Sequence, residues 1–493
     1  MLEVTKAVAK SGSGSILFVL LGLVFAKLLA VTLGPEGVGL YTVVSLLIQT
    51  TITFATVAGS VALIQGIASR QGRDREGYLG TVFWIYVIGT LLVTAFLLLT
   101  APWIASRFSS GNQVVSAEIV RWMIIPVLWG VAQGYLVSMI NGYRAIGQLV
   151  TAQVLGSAVQ VVIVYPVALI VTGGNSRAIL WLLSGYFAVQ VFYIGWLVYR
   201  RGWFNDVLNN LLHLFDWGLA KTFFSMSSMI FLTAQTSNLV LLLMASIMTQ
   251  QYSLMITGIF NTAWGLSVRY IGLILGSFSP YYLPALSGIH HPPERSDLIN
   301  NILRIATLAG VLLITSVIAL KPFIVRLLYS EEFIPSLQIL RWMLMGDFIK
   351  VAVVLTTTPM IAYSRVKVHF TTEAIFYIGM LVATVGSVFF LQDIQGIGAA
   401  YSLLYVPYLI FNIYYIKAHF GYSVSKRVWT AWVIGLAIII GSSLFFWNAT
   451  TVNWVWATLW ISIAGLFCVF TLSARERNKV IATIRIWAGV GSK

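Results

Sequence analysis

Charge is what this chain has least of. Asp, Glu, Lys and Arg make up 9% of its 493 residues, where a soluble domain carries about 25%, so the solvated shell of a soluble enzyme cannot be built. Cysteine is a single residue, Cys468, set in an apolar run, which excludes a disulfide framework and a Cys-rich metal site. There is no phosphate loop, HExxH motif, nucleophile elbow or pair of catalytic carboxylates, and His290-His291 beside two prolines reads as a loop. Enzymatic function, a cofactor and a resident metal are therefore not expected. Acid is scarcer than base, 15 against 30, for a net charge of +15. The basic residues lie in short loops beside apolar runs and form no stripe, so anionic headgroups suit them better than nucleic acid.

Apolar residues supply the rest, 59% of the chain. They fall in fourteen runs at about 15–33, 40–68, 79–105, 119–140, 150–172, 178–199, 219–248, 252–288, 301–320, 337–361, 371–391, 396–416, 428–447 and 453–472. Most suffice to cross a hydrocarbon layer of about 30 Å at 1.5 Å per residue. Fourteen crossings of about 20 residues leave about 213 for tails and loops, too few for an extramembrane domain. The pattern predicts an all-α integral membrane protein. Lys6 and Lys10 precede the first run as in a signal peptide, but there is no A-x-A cleavage site and thirteen more runs follow, so a retained helix is expected.

Lys and Arg accumulate in cytoplasmic loops. With the amino terminus inside, 21 of the 30 fall on the cytoplasmic side and six outside, namely Arg107, Arg121, Arg177, Lys321, Arg326 and Arg341. Both termini are expected in the cytoplasm.

Two stretches 220 residues apart read alike, Glu118-Ile-Val-Arg-Trp-Met123 and Gln338-Ile-Leu-Arg-Trp-Met343. Pro102 and Pro322 coincide at the same offset, as do Tyr143 and Tyr363. Each copy holds six helices, an even number, so both start on the same side and the repeat is parallel. The expected division is 1–210 as an N-lobe, 211–420 as a C-lobe, and 421–493 as helices 13 and 14 with a basic cytoplasmic tail. In repeat-built transporters the substrate path runs between the copies.

Lipid offers no hydrogen bonds, so polar residues in spanning helices should face protein or water. Helix 2 carries Thr42, Ser45, Gln49, Thr53, Thr56 and Ser60 on one face, helix 7 carries Lys221, Ser225, Ser228, Gln235 and Asn238, and helix 8 carries Gly258, Asn261, Gly265, Arg269, Gly272, Gly276 and Ser279. Close helix packing explains a single stripe equally well; several together favour a wide polar cavity. Three cations remain inside spans: Lys27, Arg269 and Lys350. Each costs about 2.5–3.5 kcal/mol at the bilayer centre on insertion scales. Asp347 lies three residues before Lys350 and can neutralise it on the same helical face. Lys27 and Arg269 have no carboxylate at i±3 or i±4, so an anionic substrate is their expected partner. Lys27, twelve residues past Ser15, is expected about 18 Å into the layer.

At these residues the chain resembles the Wzx-type O-antigen flippases, in the polysaccharide branch of the multidrug/oligosaccharidyl-lipid/polysaccharide (MOP) exporter superfamily. The matching stretches are Ala26-Lys-Leu-Leu-Ala-Val-Thr-Leu-Gly-Pro-Glu-Gly-Val-Gly-Leu-Tyr41, Tyr281-Tyr-Leu-Pro-Ala-Leu-Ser287, Gly346-Asp-Phe-Ile-Lys350 and the Glu373 of Thr-Thr-Glu-Ala. The resemblance spans about 1–420. It implies a V-shaped pair of six-helix lobes with alternating opening, carrying an oligosaccharide on undecaprenyl diphosphate between leaflets of the bacterial inner membrane for lipopolysaccharide biosynthesis, with a polysaccharide polymerase and a chain-length regulator as partners. Helices 13 and 14 depart from its twelve-helix pattern.

The residues expected to bind substrate are Lys27, Arg269, Lys350, Asp347, Gln49, Thr53, Asn238 and Asn261, the diphosphate meeting the cations and the glycan lying along the stripes. Asp347 and Glu373 are the candidate ion carriers. A membrane potential, interior negative, assists outward passage of an anion by about 2.3 kcal/mol per charge per 100 mV, with proton or sodium antiport as the rival source. The alternative function is a multidrug or small-solute antiporter, whose cationic substrates would call for buried acids in the first lobe. Its helices contain none near mid-membrane.

Overall fold

The computed structural model describes residues 2–110, 113–203, 215–289 and 291–472. The basic tail with Arg475, Arg477, Lys479, Arg485 and Lys493, the boundary at 210/211 and His290 lie outside the described residues, as do the side chains of Lys6, Lys10 and Ser279.

Every one of the fourteen apolar runs is helical among the described residues. The helices are α1 (Leu2–Thr56), α2 (Ser60–Ser69), α3 (Gly72–Arg107), α4 (Ala117–Trp122), α5 (Ile124–Gly142), α6 (Ile146–Thr172), α7 (Leu180–Arg200), α8 (Trp217–Gln251), α9 (Leu254–Ser287), α10 (Pro292–Leu328), α11 (Leu337–Ala362), α12 (Val366–Val385), α13 (Gln395–Phe420), α14 (Lys426–Phe445) and α15 (Trp454–Thr471). Eleven helical stretches among the described residues are long and apolar enough to span a membrane, one of them running from Leu17 to Ser69. The protein is an all-α, multi-pass membrane protein, and the strand content among the described residues is a two-residue antiparallel ladder pairing Ser109–Ser110 with Gln113–Val114.

Two departures from the expected spans have plain causes. The first two runs form one kinked helix with no loop between them. Pro35 supplies no N–H and forbids α-helical geometry to the residue before it, and Gly34 absorbs the bend at φ 63°, ψ −172°. The second run then breaks where Val57 and Ala58 adopt positive φ of 52° and 47°. Lys321, expected in an outer loop, lies within α10, which continues through Pro322 to Leu328 and leaves the lysine 1% exposed. The helix starts follow side-chain chemistry: Asp216 accepts the Gly218 and Leu219 amides at 2.6 and 3.1 Å, and Ser116, Ser425 and Asn453 cap α4, α14 and α15.

The repeat recurs in local geometry. Arg75 sits over the Tyr143 ring at 4.9 Å and Arg295 over the Tyr363 ring at 4.2 Å, and each pair is offset by the same 220 positions. The turns that follow also match: Arg144 and Ser364 take φ of 58° and 59°, and the next amides reach back five residues, Ala145 to Ile140 and Arg365 to Met360.

The chain packs as two compact units. The first comprises residues 1–261, 327–333 and 373–390; the second comprises 262–326, 334–372 and 391–493. In the first, α1 packs against α3, α6 and α8, and α5 against α2 and α7. The backbone of α1 meets the start of α9 so closely that a Cβ on Gly39 would stand 2.0 Å from the Leu254 carbonyl oxygen, and one on Gly258 would stand 1.9 Å from that of Pro35. In the second unit α11 packs against α13 and α14. Asn412, fully buried, ties α13 to α11 by donating to Val353 O, Thr356 Oγ1 and Thr357 Oγ1 at 3.2, 3.3 and 2.8 Å.

Candidate functional site

In the second unit the structure gathers a polar cluster around Asp347, which is 0% exposed. Its Oδ1 accepts from Ser267 Oγ and Tyr401 OH, each at 2.7 Å, and its Oδ2 accepts from Tyr270 OH. Three hydroxyl donors from two other helices satisfy a carboxylate, which is an acceptor only. Lys350 Nζ donates to Tyr401 OH at 3.1 Å, so Tyr401 links the acid to the base. Trp264 closes against Tyr401 edge-to-face at 5.6 Å. The Asp347–Lys350 spacing was readable in the sequence; Ser267, Tyr270 and Tyr401 were not, because they stand 54 to 80 positions away.

The first unit holds Lys27, Gln49, Thr53, Asn238, Asn261 and Glu373. Lys27 is half-buried, and its ammonium donates to the backbone carbonyl of Tyr329, just past the end of α10. A cation suits the exposed carbonyls of a helix C-terminus. Lys27 lies seven residues before the Gly34 bend, about 10 Å along the helix, in a helix that begins at Leu2. At the bend, a Cβ on Gly34 would lie 3.1 Å from Glu332 Oε2.

Two of the expected glycan-lining residues meet. Asn238 Nδ2 donates to Thr53 Oγ1 at 3.3 Å, joining α8 to α1. One helical turn earlier Gln235 is buried with neither amide atom hydrogen-bonded, which costs about 1–3 kcal/mol per group. Gln49 is exposed on α1, Asn261 is half-buried on α9, and Glu373 is half-buried near the start of α12. Arg269 is exposed on α9, beside the buried Tyr270 that reaches Asp347. The described residues contain no group of three or more His, Cys, Asp or Glu placed to hold a metal.

The fold matches that of known transporters. A lipid II flippase, MurJ, in an inward closed conformation has a TM-score of 0.69 at 14% identity, covering 96% of this chain and 99% of that one. An inward-facing multidrug resistance MATE family transporter of the MOP superfamily has a TM-score of 0.66 at 14% identity, covering 82% and 94%. The fold is therefore the one shared by MOP-superfamily flippases and transporters. The Lipid III flippase of Escherichia coli (strain K12) is 25% identical over 359 residues, 71% of this chain and 83% of the relative, and that of Shigella flexneri matches equally. Residues 4–290 match the family described as polysaccharide biosynthesis protein, and the chain belongs to that family.

Proposed function

We propose that this protein moves an undecaprenyl-diphosphate-linked oligosaccharide, an O-antigen or similar polysaccharide repeat unit, from the inner to the outer leaflet of a bacterial inner membrane by alternating access. The observation that carries the reading is the family match across residues 4–290, joined by the 25% identity to flippases named for lipid III.

In this mechanism Lys27 and Arg269 take the diphosphate. Lys27 donates to the Tyr329 carbonyl, and a phosphate oxygen accepting from the same ammonium adds a Coulomb attraction between opposite charges. Lys350 and Asp347 tune the same cationic cavity. The glycan runs along Gln49, Thr53, Asn238 and Asn261, where the unbonded Gln235 amide adds a donor and an acceptor. The prenyl tail stays in lipid. Asp347 and Glu373 are the ion-carrying candidates if transport draws on a proton or sodium gradient. Both termini face the cytoplasm, and a polymerase and chain-length regulator receive the exported unit.

The test is transport in proteoliposomes loaded with lipid-linked oligosaccharide. Lys27→Ala and Arg269→Ala should each abolish transfer while the protein still inserts. Full transfer by both variants defeats the electrostatic mechanism.

A further inference from the structure

A second polar site lies in the second unit, away from Asp347. A cavity of about 400 Å³ opens between α11, the start of α13 and the loop joining α14 to α15, with Gln338, Arg341, Gln395, Trp447, Asn448 and Thr450 among its walls. That volume falls within the range of about 300–1,000 Å³ typical of small-molecule sites. Arg341 is its centre. One terminal nitrogen donates to Asn448 Oδ1 at 2.9 Å and to the Trp447 carbonyl at 3.4 Å, the other to Gln395 Oε1, and the guanidinium lies 4.3 Å from the Trp447 ring centroid. Its third donor, Nε, is buried with no hydrogen-bond partner. The fully buried Lys321 ammonium has no hydrogen-bond partner either, and the Arg341 charge acts on it. An unsatisfied buried donor is costly, and an anion in the cavity gives the Arg341 Nε a partner.

The two copies of the repeat differ at one wall position of this cavity. In the first copy Glu118 pairs with Arg177 at 3.1 Å on the surface. Position 118 corresponds to 338, where the second copy has Gln. The second copy thus carries a neutral amide at this position, in the wall of the cavity, and the loop between the two appended helices adds Trp447 and Asn448. Asp393, which acts electrostatically on Arg341, already accepts the Gln395 amide at 2.9 Å.

Amides, a guanidinium and an indole in one cleft are the side chains that hold a sugar: donors and acceptors for hydroxyls, an aromatic surface for the apolar ring face, and a cation for a carboxylate. We propose that this cavity binds an acidic saccharide, its carboxylate held by Arg341, as a glycan site that the α14–α15 extension creates. The inference rests on the proposed role in polysaccharide export and narrows the cargo to glycans bearing a uronic acid or similar sugar.

The full-length protein in detergent provides the test, with hyaluronan tetrasaccharide as the acidic probe, chitotetraose as the neutral one and inorganic phosphate as the bare anion. Direct titration should show the acidic probe binding at least tenfold tighter than either comparator. Gln338→Glu restores the first copy's acid without removing a contact and should weaken the acidic probe at least tenfold while leaving chitotetraose unchanged. Absence of binding, equal binding of the neutral probe or of phosphate, or a variant that binds like the parent protein would each overturn the assignment. The probes carry neither lipid nor diphosphate, so a negative result leaves the flippase mechanism standing, and transport by Lys27→Ala and Arg269→Ala leaves this site untouched.

Discussion

Asp347 offers the sharpest energetic prediction, because three helices meet on one carboxylate. Replacing it by Leu removes the acceptor of three hydroxyls and leaves Ser267, Tyr270 and the Lys350-bound Tyr401 buried without it. Breaking a buried charge cluster from one side costs about 3–5 kcal/mol, and unfilled hydrogen-bond donors act in the same direction. Removing both charges, in Asp347→Leu with Lys350→Met, relieves the uncompensated cation and should recover about half of that loss or more. Tyr401→Phe keeps the ring packing against Trp264 but deletes the bridging hydroxyl, at about 1.5–3 kcal/mol for a bond to a charged group. The assay is thermal unfolding in one detergent of Tyr401→Phe and of Asp347→Leu, Lys350→Met and their double variant, the last three combined with the parent as a double-mutant cycle. The expected order of melting temperature is parent, then Tyr401→Phe and the double variant, then Asp347→Leu lowest. If Asp347→Leu melts with the parent protein, or the double variant melts below the single, the cluster does not hold α9, α11 and α13 together and the reasoning fails.

Other consequences follow from close contacts. Gly39→Ala and Gly258→Ala drive a Cβ to about 2 Å from a backbone carbonyl oxygen, so each should abolish monodisperse expression, as size-exclusion chromatography of a fluorescent fusion will show. Asn412→Ala removes three donated bonds from the α11–α13 contact and should cost about 2–3 kcal/mol, read as a lower melting temperature. Thr53→Val deletes the acceptor of Asn238; stability should change by no more than about 1 kcal/mol, while transport of lipid-linked oligosaccharide in proteoliposomes falls severalfold.

Much of the fold was legible because lipid imposes a simple rule. Runs of apolar residues must be helices, and all fourteen are. The Gly34-Pro35 pair was visible too, although the expected loop there is a bend, since proline disfavours α geometry before it and glycine readily takes the positive φ of the bend. The matched pairs Arg75–Tyr143 and Arg295–Tyr363 extend the repeat beyond the Arg-Trp-Met copies. Long-range partners escaped notice. The carbonyl of Tyr329 lies 302 positions from Lys27, and a backbone acceptor leaves no mark in composition. Tyr270 and Tyr401 look like ordinary aromatic residues of apolar helices until the packing brings their hydroxyls to one acid. Lys321 read as a loop residue because Pro322 follows it, yet the helix runs on through the proline.

The central claim is that Lys27 and Arg269 bind the diphosphate, and direct titration of undecaprenyl-diphosphate-linked oligosaccharide into the purified protein measures it. A charge pair at 4 Å with an effective dielectric near 20 is worth up to about 4 kcal/mol. Lys27→Ala and Arg269→Ala should therefore each weaken binding by about tenfold to a thousandfold, with Lys27→Arg close to the parent protein. Unchanged affinity in both alanine variants would contradict the account.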